Sequence, residues 1–126
     1  MKRLLIGLAA FVFLIAMLYG GIHLFGKIIY ESQSCELYNI DNIELRTGIN
    51  VPQISSTDCE CKDNRKVSKF VIDTNTVDVN DYISRNDFTL VDDLYIKEND
   101  TKNSTYKVVF NKKTAELIVD LTYKNN

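Results

Sequence analysis

Histidine is almost absent from this chain, and its single copy, His23, sits inside a long apolar run. The rest of the sequence therefore has no imidazole to serve as general base or metal ligand. Glycine is scarce too: only Gly48 lies beyond Gly26, so no glycine-rich phosphate loop can be built. There is no Gly-x-Ser-x-Gly, one proline (Pro52), and no repeat or low-complexity tract. These absences remove the usual catalytic constellations and predict no enzyme activity, no cofactor and no metal. Carboxylates are plentiful but not placed as catalytic pairs. Asp92 and Asp93 are adjacent, and adjacent strand residues point to opposite faces. Asp73-Thr74-Asn75 followed by Asp78 matches part of a calcium loop. It lacks the turn glycine and the distal glutamate, so a capped turn is expected.

Charge is the second absence. Residues 4–25, LLIGLAAFVFLIAMLYGGIHLF, carry no ionic side chain. As a helix this run spans roughly 33 Å, enough for the ~30 Å hydrocarbon core of a bilayer. A cleaved signal peptide competes with this reading, but its apolar region would be shorter and end in small residues. Leu18-Tyr19-Gly20 and Tyr19-Gly20-Gly21 put large groups where small ones are needed, and Ser32-Gln33-Ser34 lies well past the run. No Leu-x-x-Cys precedes Cys35 to mark a lipidated cysteine. The expectation is an uncleaved signal-anchor over residues 1–29, in contact with lipid through residues 4–25; cleavage would release a small secreted domain. Lys2 and Arg3 precede the run and Lys27 alone follows it closely. A cytoplasmic N-terminus and an extracytoplasmic C-terminal part follow, a single-pass protein of a bacterial inner membrane facing the periplasm. Tyr19 and Tyr30 suit the outer interface, while Ala16, Gly20 and His23 are read as structural.

What remains is about 95 residues, one small domain. With Lys2, Arg3 and Lys27 assigned to the anchor, 12 basic residues face 17 acidic ones. Such an acidic domain has no electrostatic reason to bind nucleic acid and suits a basic partner. Cys35, Cys59 and Cys61 fall early in it, in a connecting region over 30–65. In an oxidising compartment a disulfide is allowed and useful to a small core. Cys35 is expected to pair with Cys59 or Cys61, leaving one thiol. Cys59-Glu60-Cys61 supplies only two ligands of the four that structural zinc needs.

The patterning of the exposed part predicts an α+β domain. Leu37, Ile40 and Ile43 outline a short helical face that Thr47-Gly48 would end. Residues 55–65 (SSTDCECKDNR) read as a surface loop held by the cysteines. The small domain over 66–126 begins with a strand at 66–73. A short helix capped by Asp78 follows, carrying Val79, Tyr82 and Ile83, with Asn86-Asp87 ending it. One strand is expected across 88–97, broken at Asp92-Asp93, then a loop over 98–103. Strands over 104–111 and 114–124 complete an antiparallel β-meander with one packed helix. Asn99-Asp100-Thr101 and Asn103-Ser104-Thr105 fit the glycosylation rule, which matters only in a eukaryotic secretory pathway.

The stretch Leu45-Arg46-Thr47-Gly48-Ile49-Asn50-Val51-Pro52, followed by a strand, a short helix and a hairpin ending in Leu117 to Tyr123, is similar to small uncharacterised bacterial envelope proteins. Some proteins of that size and anchoring resemble immunity proteins against periplasm-acting toxins. The resemblance implies a membrane-anchored, protein-binding role and carries over no catalytic residue. Two function classes follow. One is a tethered binding domain for a protein partner; the other is a structural accessory of an envelope assembly, contacting it through the anchor. For the first, the outer sheet face is expected to be polar except at Ile118. Glu116, Ile118 and Asp120 are then the expected partner contacts.

Overall fold

An uncharged run with no proline and only the isolated Gly7 before Gly20-Gly21 folds as one long helix in the computed structural model, which describes residues 1–124. This helix, α1 (Lys2–Glu31), buries none of its residues, and its large apolar side chains from Leu4 to Ile28 are exposed. Among the described residues it is the one helix long and apolar enough to cross a membrane. A second compact unit begins at Ser32.

The second unit is α+β. It opens with α2 (Asn39–Thr47), whose Ile43 is fully buried. Gly48 ends α2 in the left-handed region, at φ 73°, and its N–H donates to the Glu44 carbonyl. Only glycine adopts that conformation without steric cost, which is why the Thr47-Gly48 signal holds. Helix α3 (Val79–Arg85) starts where the Asp78 carboxylate accepts the Asp81 N–H at 3.1 Å. Its Tyr82 is buried, and the hydroxyl donates to the Asn50 carbonyl at 2.7 Å. Asn86 closes the helix and accepts the Asn50 N–H, tying α3 to the segment after α2.

Six antiparallel strands form one sheet: β1 (Ile54–Lys62), β2 (Arg65–Ile72), β3 (Thr89–Val91), β4 (Leu94–Asp100), β5 (Ser104–Asn111) and β6 (Glu116–Tyr123). Their order is β1-β2-β6-β5-β4-β3. Strands β3 to β6 run as a meander, and β6 then lies against β2, matching Phe70 with Leu117 and Ser68 with Val119. Alternation does the sorting: Phe70 and Ile72, then Tyr106, Val108 and Phe110, then Leu117, Val119, Leu121 and Tyr123 all face inward. Ile43 of α2 and Tyr82 of α3 complete this core. Tyr82 meets Phe110 edge-on at 5.5 Å between ring centres.

The structure corrects several expected elements. Residues 55–65 are not a loop; they hold most of β1, hairpinned to β2 through Asp63 and Asn64. β1 is a sheet edge with no buried residue, so it has no apolar alternation to betray it. Residues 88–97 are not one strand but the β3–β4 hairpin. Asp92 (φ 47°) and Asp93 (φ 69°) both take left-handed backbone at its two-residue turn. β4 continues to Asp100, shrinking the loop expected at 98–103 to a turn in which the Thr101 N–H and hydroxyl both reach the Ser104 carbonyl. β6 begins at Glu116, after a turn in which Ala115 is left-handed at φ 59°. Both short helices lie where they were expected, but α2 starts at Asn39 and leaves Leu37, expected on its face, outside it and exposed.

Candidate functional site

No side chain on the outer face of the sheet is buried, in contrast to the face beneath it. Register places Ile118 of β6 opposite Val109 of β5, and Val109 opposite Ile96 of β4, so three half-buried aliphatic side chains line up across three strands. Val67 and Val71 of β2 lie on the same face, opposite Asp120 and Glu116. The expectation of a face polar except at Ile118 is therefore overturned. Strands β4, β5 and β6 each carry an exception, and register gathers these three into an apolar row.

The expected contacts Glu116 and Asp120 do flank Ile118, but each already has a partner. Arg65 grips Asp120 with two bonds, Nε–Oδ1 at 2.9 Å and Nη2–Oδ2 at 2.6 Å. Lys69 pairs with Glu116 at 3.2 Å. On the same face Lys124 pairs with Asp100, which also accepts the Thr105 hydroxyl. Those bonds hold the Asp100 carboxyl below its ordinary range, the Lys124 bond first. Exposed pairs of this kind are worth about 0–1 kcal/mol each, so they order the surface more than they stabilise it. Beside the apolar row, Arg65, Glu98, Lys107, Asp120 and Thr122 line a concavity of about 530 Å³.

The domain's negative charge lies elsewhere. Residues 73–93 carry six carboxylates (Asp73, Asp78, Asp81, Asp87, Asp92, Asp93) against Arg85 alone. The acidity credited to Glu116 and Asp120 thus belongs to the α3 segment and the β3–β4 turn. The apolar row reaches that segment at Thr89, which is opposite Ile96.

The cysteines converge at the β1 edge. Cys35 and Cys59 form a disulfide with Cα atoms 5.7 Å apart, and Cys61 is an exposed free thiol. All three sulfurs lie within 4.8 Å of one another. Cys59 and Cys61 share a face of β1 because they are two residues apart, and β2 sets Ser68 and Lys66 opposite them. The Ser68 hydroxyl donates to Cys59 Sγ at 3.4 Å, and Cys61 Sγ donates to the Gln33 carbonyl at 3.2 Å. Residues 32–35 are thus a strap along the edge, held also by the Tyr123 hydroxyl on the Ser32 carbonyl at 3.0 Å. Three sulfurs are fewer than the four ligands of structural zinc, and two of them are already bonded to each other.

The chain matches no family model, no curated protein and no solved structure.

Two features of these sites escape a reading of single strands. Lys66 is only 1% exposed, its ammonium donating to Asn42 Oδ1 at 3.0 Å and standing 5.7 Å from the Tyr123 ring centre. Burial pulls its pKa down to about 8, Arg46 adding to the fall and Cys61 opposing it. Its place in the alternation Lys66, Ser68, Phe70, Ile72 was the available signal. The Ile96–Val109–Ile118 row needed the register of three strands.

Proposed function

We propose that this protein is a membrane-tethered domain that works by binding another protein, without catalysing a reaction on it, on the extracytoplasmic side of a bacterial inner membrane. The observation that carries the reading is the unburied outer face, where Ile96, Val109 and Ile118 form one apolar row bordered by ordered ion pairs. A small apolar centre inside a polar rim is the anatomy of a protein-binding surface. The partner is basic. The acidic 73–93 segment adjoins the row and would speed the encounter, since the row's own carboxylates are largely neutralised. The resemblance of residues 45–52 and the elements after them to envelope proteins supports an immunity role, with a basic, periplasm-acting toxin as the partner. Lys2 and Arg3, ahead of the uncharged run at the start of α1, support the orientation.

The test uses full-length protein as bait in solubilised envelope extract, beside a Val109→Ser/Ile118→Ser variant shown to fold by circular dichroism. Loss of at least tenfold in capture of the same partner is expected, on the order of 1.4 kcal/mol. Equal capture by the folded variant would remove this face from consideration. If α1 instead makes the contacts, as in an envelope-assembly subunit, capture should vanish when α1 is replaced by a cleavable signal and survive the double substitution.

A further inference from the structure

We propose that Cys35, Cys59 and Cys61 form an intramolecular thiol–disulfide exchange site, so that the domain exists in two disulfide states, Cys35–Cys59 and Cys35–Cys61. The parts of such a reaction are all in place. The nucleophile is Cys61, the exposed free thiol, within 4.8 Å of both bonded sulfurs. Lys66 lies opposite Cys61 in the β1–β2 register, as Ser68 lies opposite Cys59. The leaving sulfur is Cys59, and the Ser68 hydroxyl already donates to it, as a departing thiolate requires. The central sulfur is Cys35, carried by a strap that touches Cys61 through the Gln33 carbonyl.

In the step, the Cys61 thiolate gives its electron pair to Cys35 Sγ and forms the new S–S bond. The Cys35–Cys59 bond breaks, its electron pair leaves on Cys59, and Cys59 takes up the proton that Cys61 released to water. One disulfide and one thiol exist before and after, so neither oxidant nor reductant is consumed. Attack on Cys59 instead would join residues two apart on one strand, with Cα atoms about 6.6–6.8 Å apart, at the limit of disulfide geometry. Exchange therefore runs through Cys35 and moves the fastening of the strap two residues along β1.

The experiment holds the full-length protein, in detergent, at pH 8 without reductant, then quenches with acid and digests with pepsin. Tandem mass spectrometry of the linked peptides distinguishes Cys59 from Cys61. The expected result is both linkages in the wild-type protein, with one free thiol per chain shared between Cys59 and Cys61. The Cys59→Ser variant should carry Cys35–Cys61 alone while keeping the wild-type circular dichroism spectrum. A wild-type protein holding only Cys35–Cys59 after incubation overturns the proposal. So does a folded Cys59→Ser variant that keeps Cys35 and Cys61 as thiols after incubation at pH 8 with oxidised glutathione as the oxidant.

Discussion

Replacing Lys66 with methionine should leave the domain as stable at pH 7 or more so, and should abolish a rise in stability between pH 8 and pH 10. The ammonium is buried, and its pKa falls from the ordinary 10.5 to about 8. Below pH 8 the folded and unfolded chains both hold the Lys66 proton, and folding carries the cost of burying the charge. Between pH 8 and 10.5 the unfolded chain keeps a proton that the folded one has lost, so stability climbs with pH. At 1.36 kcal/mol per pH unit the gain comes to about 2 kcal/mol between pH 8 and 10. Higher still, the sign reverses. Burial raises the pKa of Tyr82 and Tyr123 well above the usual 10, so the unfolded chain loses tyrosine protons that the folded one retains. Methionine keeps the volume and drops the charge, and Asn42 Oδ1 still accepts the Tyr123 hydroxyl at 2.6 Å. The variant should therefore gain about 1–3 kcal/mol at pH 7. Urea denaturation of full-length protein in micelles, read by tyrosine circular dichroism in a Cys61→Ser background, measures both effects. A variant less stable than its parent at pH 7, with a parent flat from pH 8 to 10, would refute the reasoning. Lys66 would then be a net stabiliser through Asn42 and the Tyr123 ring.

Cys35→Ser removes the one cysteine common to both disulfide states. It should cost about 3 kcal/mol for a closed loop of roughly 25 residues, whereas Cys59→Ser should cost clearly less; urea midpoints give the comparison. Gly48→Ala should lose about 1 kcal/mol from the left-handed backbone at φ 73°. Its new Cβ would meet only the Lys97 ammonium, at the end of a long side chain 3.4 Å away, so thermal melts should show no larger loss. Asp78→Ala should cost about 1 kcal/mol by leaving the Asp81 N–H without its acceptor, measured the same way. A reporter fused after Asn126 should be active only if it works outside the cytoplasm; a signal from a cytoplasm-only reporter would reverse the proposed orientation.

The sequence displayed what local chemistry controls. The uncharged run makes α1, Asp78 caps α3, Gly48 stops α2, and strict alternation marks β6. β1 was hidden because a polar strand with no buried face has no period to read, and its strand character comes from main-chain pairing with β2. The β3–β4 turn was hidden because two aspartates in left-handed backbone are less familiar there than Asn-Gly. The candidate surface was legible at one point, Ile118; Val109 and Ile96 join it only once three strands are in register. Lys66 was hidden because lysine is almost never fully buried without a partner, and its partners, Asn42 and Tyr123, lie 24 and 57 residues away.

The placing of β6 also sets a timetable for folding. The β1–β2 hairpin and the β3–β5 meander are each built from neighbours in the chain, yet nothing in the sheet joins them until β6 slots between β2 and β5. Every other strand is synthesised earlier. As the chain emerges from the ribosome, the first hairpin must wait beside an unpaired β2 edge. That edge includes Phe70 and Ile72, which stay wet until Leu117 and its neighbours arrive. The waiting form is open to aggregation and to chaperone capture, and the sheet becomes continuous only when its central strand has been delivered.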